Sequence, residues 1–236
     1  MIPVRPRSWW PDLGLLAGFV VLTVTVATGH LLTLDAAVAD WADAHRPAPL
    51  YWIARVLNYL GQGGQVLMPL ALVLVGLVTW RRRSIRPLIV FAAAFVITYV
   101  TIGPLKIWFQ RAAPHFTGPD RTVLFNDAAL GNEGVSYPSG HVANALVWYG
   151  VIALLLGALT GGLSATAVAA LRIVPPVVVF CTTTYLSFHW ITDSVAGLLL
   201  GLVLTRLMAR VPWDSIRLPP VRDGWTRPAE LSASSS

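Results

Sequence analysis

Apolar residues run along this chain in six stretches of 18 to 21 residues, separated by more polar segments: about 13–33, 63–80, 87–105, 141–159, 167–187 and 191–209. A helix needs about 20 mostly apolar residues to cross a bilayer. The first, second and fourth stretches contain no Lys, Arg, Asp or Glu. Lipid offers the backbone no hydrogen-bond partners, so such segments must be helices. The fifth carries Arg172 and the pair Pro175-Pro176; the arginine is expected to snorkel towards the inner face and the prolines to kink the helix. The pattern predicts an all-α, polytopic membrane protein: a six-helix transmembrane domain over residues 1–211 and a polar, disordered cytoplasmic tail over 212–236.

Two connections are long. Residues 34–62 alternate acidic with apolar and aromatic positions, which predicts one or two short amphipathic helices in the outer interface, anchored by Trp41, Trp52 and Tyr59. Residues 106–140 are rich in Gly, Pro, Asn and Asp and read as an irregular loop, longer than a plain connection needs. Composition supports this layout: charged residues make up only 12% of the chain and mean hydropathy is +0.66, against roughly 25% charge in a soluble domain. A single cysteine, Cys181, excludes an intramolecular disulfide. The net charge of +6 does not form a nucleic-acid-binding stripe. With the N-terminus inside, the inner segments receive 11 basic residues, among them Arg81, Arg82, Arg83, Arg86, Arg206 and Arg210. Outside lie Arg46, Arg55, Lys106, Arg111 and Arg121. Both termini are therefore expected in the cytoplasm of an inner-membrane protein. The basic start and apolar run at the N-terminus are read as a retained helix, not a signal peptide.

Three polar clusters then converge at the outer helix ends: LKIWFQRAAPHF from Leu105, YPSGH from Tyr137, and TTTYLSFHWITD from Thr182. Ser139 is a favoured N-cap, with Gly140 and His141 opening the following helix. Free N–H groups at a helix start suit an anion, and glycine lets it approach the backbone. His189 and Asp193 are spaced i, i+4, on one helix face; a carboxylate on one imidazole nitrogen leaves the other as base or nucleophile. Taken singly, each cluster fits an ordinary cap, a structural His–Asp bond or a snorkelling lysine. Together with Lys106 and Arg111 they compose a phosphoryl site: cations, backbone donors, one histidine to attack and one to donate a proton.

These clusters resemble the signature of the type 2 phosphatidic acid phosphatase and vanadium haloperoxidase superfamily, K-x6-R-P, P-S-G-H and S-R-x5-H-x3-D. The matching positions are Lys106 and Pro114, Pro138 to His141, and His189 with Asp193. The resemblance covers roughly residues 60–205 and points to the family's integral membrane lipid phosphatases, the soluble haloperoxidases lacking bilayer-spanning helices. It implies that His189 attacks phosphorus, Asp193 orients it, and His141 protonates the leaving oxygen and then activates water. Two arginines of the pattern are missing, with Ala113 at one position and Thr183 at the other, and Thr182 replaces the serine. A lost bidentate arginine contact costs a few kcal/mol, ~100-fold in rate or affinity. Arg111 is expected to supply a replacement guanidinium, Thr182 and Thr183 hydroxyls, and Ser139 and Gly140 backbone donors. Arg121 reaching back is a further candidate, and His115 lies near the proposed site.

The resulting expectation is a metal-independent, cofactor-free hydrolase acting on a lipid phosphate or pyrophosphate, of polyprenyl or glycerolipid type, at the outer leaflet. Its partners are that substrate and membrane lipids, not nucleic acid. Two alternatives use the same scaffold: a phosphotransferase or head-group transferase, and a non-catalytic lipid-binding relative. Substrate, pathway and oligomeric state are not encoded in any readable motif.

Overall fold

The computed structural model describes residues 6–213 and contains no strand among them. Eight α-helices follow in chain order: α1 (Trp10–Ala27), α2 (Leu32–Ala44), α3 (Ala48–Asn58), α4 (Met68–Arg82), α5 (Arg86–Phe109), α6 (Gly140–Thr160), α7 (Ala165–Tyr185) and α8 (Ile191–Arg210). A π-helical turn, Gly63–Leu67, leads into α4. Six segments are long and apolar enough to cross a membrane: α1, α4 with its π turn, α5, α6, α7 and α8. The expected all-α architecture of six spanning helices is thus observed. The tail expected to be disordered lies outside the described residues, apart from Pro212 and Trp213.

Boundaries differ from expectation in two places. The first helix ends at Ala27 instead of near residue 33, because Gly29 takes a left-handed backbone angle (φ 86°) just after the C-cap Thr28. The freed residues open α2. The third span continues past Leu105 to Phe109 and stops where Gln110 turns left-handed, so Lys106 stands in the last turn and not at its end. The segment 34–62 forms two short helices, with Trp41, Trp52 and Tyr59 exposed as expected of anchors. The second long loop is irregular, apart from a 3-10 turn at Gly131–Gly134. The helix assignment of α7 runs through Pro175 and Pro176 without a break.

α6 is the axis of the bundle, packing against α8, α7, α4 and α5, while α1 covers α8. Most of α6 is buried, including Trp148 and Leu155. The outward faces of α1, α4, α5 and α7 instead expose Val21, Val73, Val100 and Val177, a surface matched to lipid. The tightest seam joins α6 to α8. A Cβ at Gly197 would sit 2.4 Å from the Ser139 carbonyl oxygen, and one at Gly201 would sit 2.9 Å from Ala143 Cα. Small residues at such a seam let two backbones approach closely. That approach sets the first turn of α6 against the first turn of α8. At the opposite end, Asp12 pairs with Arg206 (2.8 Å) and Arg210, tying α1 to α8.

Candidate active site

Ser139 caps α6 as expected, its hydroxyl accepting from the Val142 amide (3.5 Å). His141 therefore projects from the first helical turn. The short connection from Leu186 to Trp190 brings His189 to the same end, and α8 begins with the Asp193 carboxylate accepting from the Trp190 amide (3.0 Å). The two imidazoles meet: His141 Nδ1 lies 3.3 Å from His189 Nε2.

Behind His189 the network is fuller than an i, i+4 pair. Asp193 Oδ2 is 3.5 Å from His189 Nδ1, too long for a good direct bond. Ser136 bridges the gap. Its hydroxyl donates to Asp193 Oδ2 (2.6 Å), and its oxygen lies 3.1 Å from His189 Nδ1. With the serine proton committed to the carboxylate, Nδ1–H donates to Ser136 Oγ, and Nε2 keeps its lone pair on the side of His141. His189 is almost fully buried. Burial pushes its pKa below the ordinary histidine value, against the opposing pull of Asp193. The ring is accordingly neutral near pH 7, as a nucleophile must be.

The other oxygen of Asp193 holds Arg111 at 2.6 Å, and this corrects the role expected for that arginine. Its guanidinium is fully buried, bonded also to Asp35 (2.6 Å), the Thr192 hydroxyl (2.8 Å) and the Thr122 carbonyl (2.7 Å). Every donor is used, so none remains for a phosphate. Burial alone would disfavour its charge, but Asp193 and Asp35 outweigh that and raise its pKa. Asp35, read from the alternation of 34–62 as an interfacial residue, is instead completely buried. It accepts from the Thr192 amide (3.0 Å) and hydroxyl (2.6 Å). No spacing in the sequence linked Asp35 or Ser136 to the histidines. Ser136 is set by backbone pairing, its amide donating to the Arg111 carbonyl (2.9 Å).

A cavity of about 540 Å³ opens in front of the imidazoles. Lys106, Gly140, His141 and His189 line it, as does His115. Lys106 Nζ donates to the Val135 carbonyl and lies beside Gly140, where a Cβ would meet its Cε at 3.1 Å. Asn144 and the Gly61–Gly64 stretch close another wall, unforeseen in the sequence. Ser139, Thr182 and Thr183 do not line the cavity, contrary to expectation. The Ser139 amide donates to the Asp193 carbonyl (2.9 Å). The Thr182 hydroxyl donates to Val178 O (2.8 Å), and Thr183 is buried in the helix end. A threonine hydroxyl stops one bond beyond Cβ and cannot reach where an arginine would. Arg121 is also turned away, donating to the Pro114 carbonyl (3.1 Å) and lying 3.7 Å from Asp40. Among the described residues, no group of three or more His, Cys, Asp or Glu is placed to hold a metal ion.

The chain as a whole has known relatives. The family model of the PAP2 superfamily matches residues 87–217. Phosphatidylglycerophosphatase B of Bacillus subtilis (strain 168) is 28% identical over 190 residues, 79% of this chain and 87% of that protein. The crystal structure of a transmembrane PAP2-type phosphatidylglycerolphosphate phosphatase from Bacillus subtilis superposes with a TM-score of 0.70 at 25% identity. The match covers 84% of this chain and 94% of that one.

Proposed function

The chain belongs to the PAP2 superfamily, and from that premise we propose that this integral membrane protein hydrolyses a lipid phosphate or pyrophosphate through a phosphohistidine on His189. The observation that carries the reading is the 3.3 Å approach of His141 Nδ1 to His189 Nε2 at the floor of a cavity, with Ser136 and Asp193 behind.

Phosphorus enters between the two imidazoles, displacing their resting contact. Nε2 of His189 attacks, the bond from phosphorus to the ester or anhydride oxygen breaks, and His141 donates a proton to the departing oxygen. The positive charge formed on His189 is stabilised by Asp193 through Ser136. His141, now a base, takes a proton from water, and the hydroxide attacks phosphorus. The P–N bond breaks, releasing inorganic phosphate and neutral His189. Lys106 and the start of α6 at Gly140 meet the phosphoryl oxygens.

The substrate is read as amphiphilic, of polyprenyl or glycerolipid type, because the cavity opens at the end of an apolar bundle. The Bacillus relatives named for phosphatidylglycerophosphate support a glycerolipid. The cavity end carries Arg46, Arg55, Lys106, Arg111 and Arg121, and the opposite end the larger arginine set. The positive-inside bias thus supports an active site on the outer side of the inner membrane with cytoplasmic termini. Purified protein in detergent is expected to release phosphate from one member of a panel of polyprenyl, glycerolipid and sugar-lipid phosphates. His189→Ala should lower that rate at least ~1000-fold. Undiminished release by this variant refutes the assignment, and label passing to a new lipid instead of free phosphate redirects it to transfer.

A further inference from the structure

The cavity is short of positive charge. Among the described residues Lys106 is the only lysine or arginine lining it, and Glu133 lines it too. A phosphoryl group carrying up to two negative charges normally meets several charge-assisted donors. Five basic residues stand at this end of the bundle, and four are committed elsewhere or already counted. Arg46 donates to the Tyr185 carbonyl (2.8 Å) and pairs with Asp43. Arg111 is enclosed by Asp35 and Asp193, Arg121 is turned to Pro114 and Asp40, and Lys106 is in place.

Arg55 remains. It stands in the last turn of α3, half-buried, and its guanidinium has no hydrogen-bond or ion-pair partner among the described residues. It lies over the ring of Phe188, 5.0 Å from the centroid, a contact that leaves the guanidinium N–H groups free. Phe188 lines the cavity, and its ring centroid is 6.5 Å from that of His141. Besides His189, the basic groups near enough to act through space on His141 are Lys106 and Arg55. Arg55 and Lys106 therefore stand on two sides of the same histidine's surroundings, on different helices, α3 and α5.

We propose that Arg55 is a substrate-binding residue, its free guanidinium swinging from the face of Phe188 to hold an anionic oxygen of the phosphorylated substrate beside His141. It supplies from α3 the cation that neither Ala113 nor Thr183 provides. The aromatic face keeps an unpaired guanidinium in position without neutralising it, so the charge stays available until a phosphate arrives.

This rests on the hydrolase reading above, and the experiment separates the two. Vanadate and inorganic phosphate serve as probes, read as inhibition constants for phosphate release by the full chain in detergent, alongside KM, kcat and the thermal midpoint. Arg55→Gln should weaken both inhibitors and raise KM by ~10-fold or more, with the thermal midpoint unchanged. Arg55→Lys should fall between that variant and the wild type, because an ammonium keeps the charge but loses the fork. Wild-type inhibition constants and KM in a folded Arg55→Gln overturn the proposal while leaving the hydrolase reading intact. If Arg55→Gln does not fold, Arg55→Lys decides: weakened vanadate binding at a normal thermal midpoint supports the contact, and unchanged binding overturns it. A wild-type protein that neither releases phosphate nor binds vanadate removes both readings together.

Discussion

Asp193 spends both of its oxygens: one on Arg111 at 2.6 Å, the other on Ser136 at 2.6 Å and the Trp190 amide at 3.0 Å. A carboxylate so fixed can hold Ser136, and through it the tautomer of His189, without freedom to rotate. The consequence is a defined pH dependence. In the proposed mechanism His189 works as the neutral ring, and burial lowers its pKa below about 6.5, the unperturbed value. The acid limb of activity, where His189 takes up a proton, should therefore lie below that value, at the lower, folded pKa. The check is kcat/KM against pH, corrected for the substrate's own phosphate ionisation. An acid limb centred at or above 6.5 would contradict the assignment. The same shift destabilises the fold in acid, since below about 6.5 the unfolded chain binds a proton that the folded one refuses. The histidines, Lys106 and Asp193 were legible in the sequence because their spacings are local. Ser136 and Asp35 were not, because their side chains meet their partners across 53 to 157 residues through contacts that no short spacing encodes.

At the scale of elements, the seam between α6 and α8 decides whether the two histidines meet. The carbonyl of Ser139 occupies the space a side chain at position 197 would need, and backbone cannot move aside as a flexible side chain can. Gly197→Ala should therefore cost about 1–3 kcal/mol in stability and reduce activity further by separating His141 from His189. Thermal unfolding in detergent, read beside phosphate release, measures both. Gly150, on the α6 side of the same seam, provides the control, since a Cβ there would meet only Thr205 Cγ2 at 3.9 Å. Gly150→Ala should change neither, and equal damage from both variants would show that the close contact at Gly197 is not what matters. Hydropathy located the spanning helices, whereas it could not rank their neighbours: in lipid every apolar face looks alike, and close approach is selected by glycine placement.

For the whole molecule, orientation makes the remaining prediction. In cells carrying Cys181→Ser, Asn132→Cys at the mouth of the cavity should be labelled by a membrane-impermeant maleimide. Ser84→Cys, between α4 and α5, should react only after permeabilisation; the reverse pattern inverts the topology. The sequence by itself determined the class of molecule, the number of spans, the helical character of residues 34–62 and the histidine pair, because apolar run length and helical periodicity are properties of neighbouring residues. Only the tertiary structure decided which charges are spent inside the protein and which face the cavity. Arg111, expected at the phosphate, is buried between two aspartates, and Arg55, unremarkable in the sequence, is left uncommitted. The physical reason is that an arginine's role depends on which acceptors packing brings within about 3 Å of its guanidinium, and here those acceptors come from α2, α8 and the long loop at once.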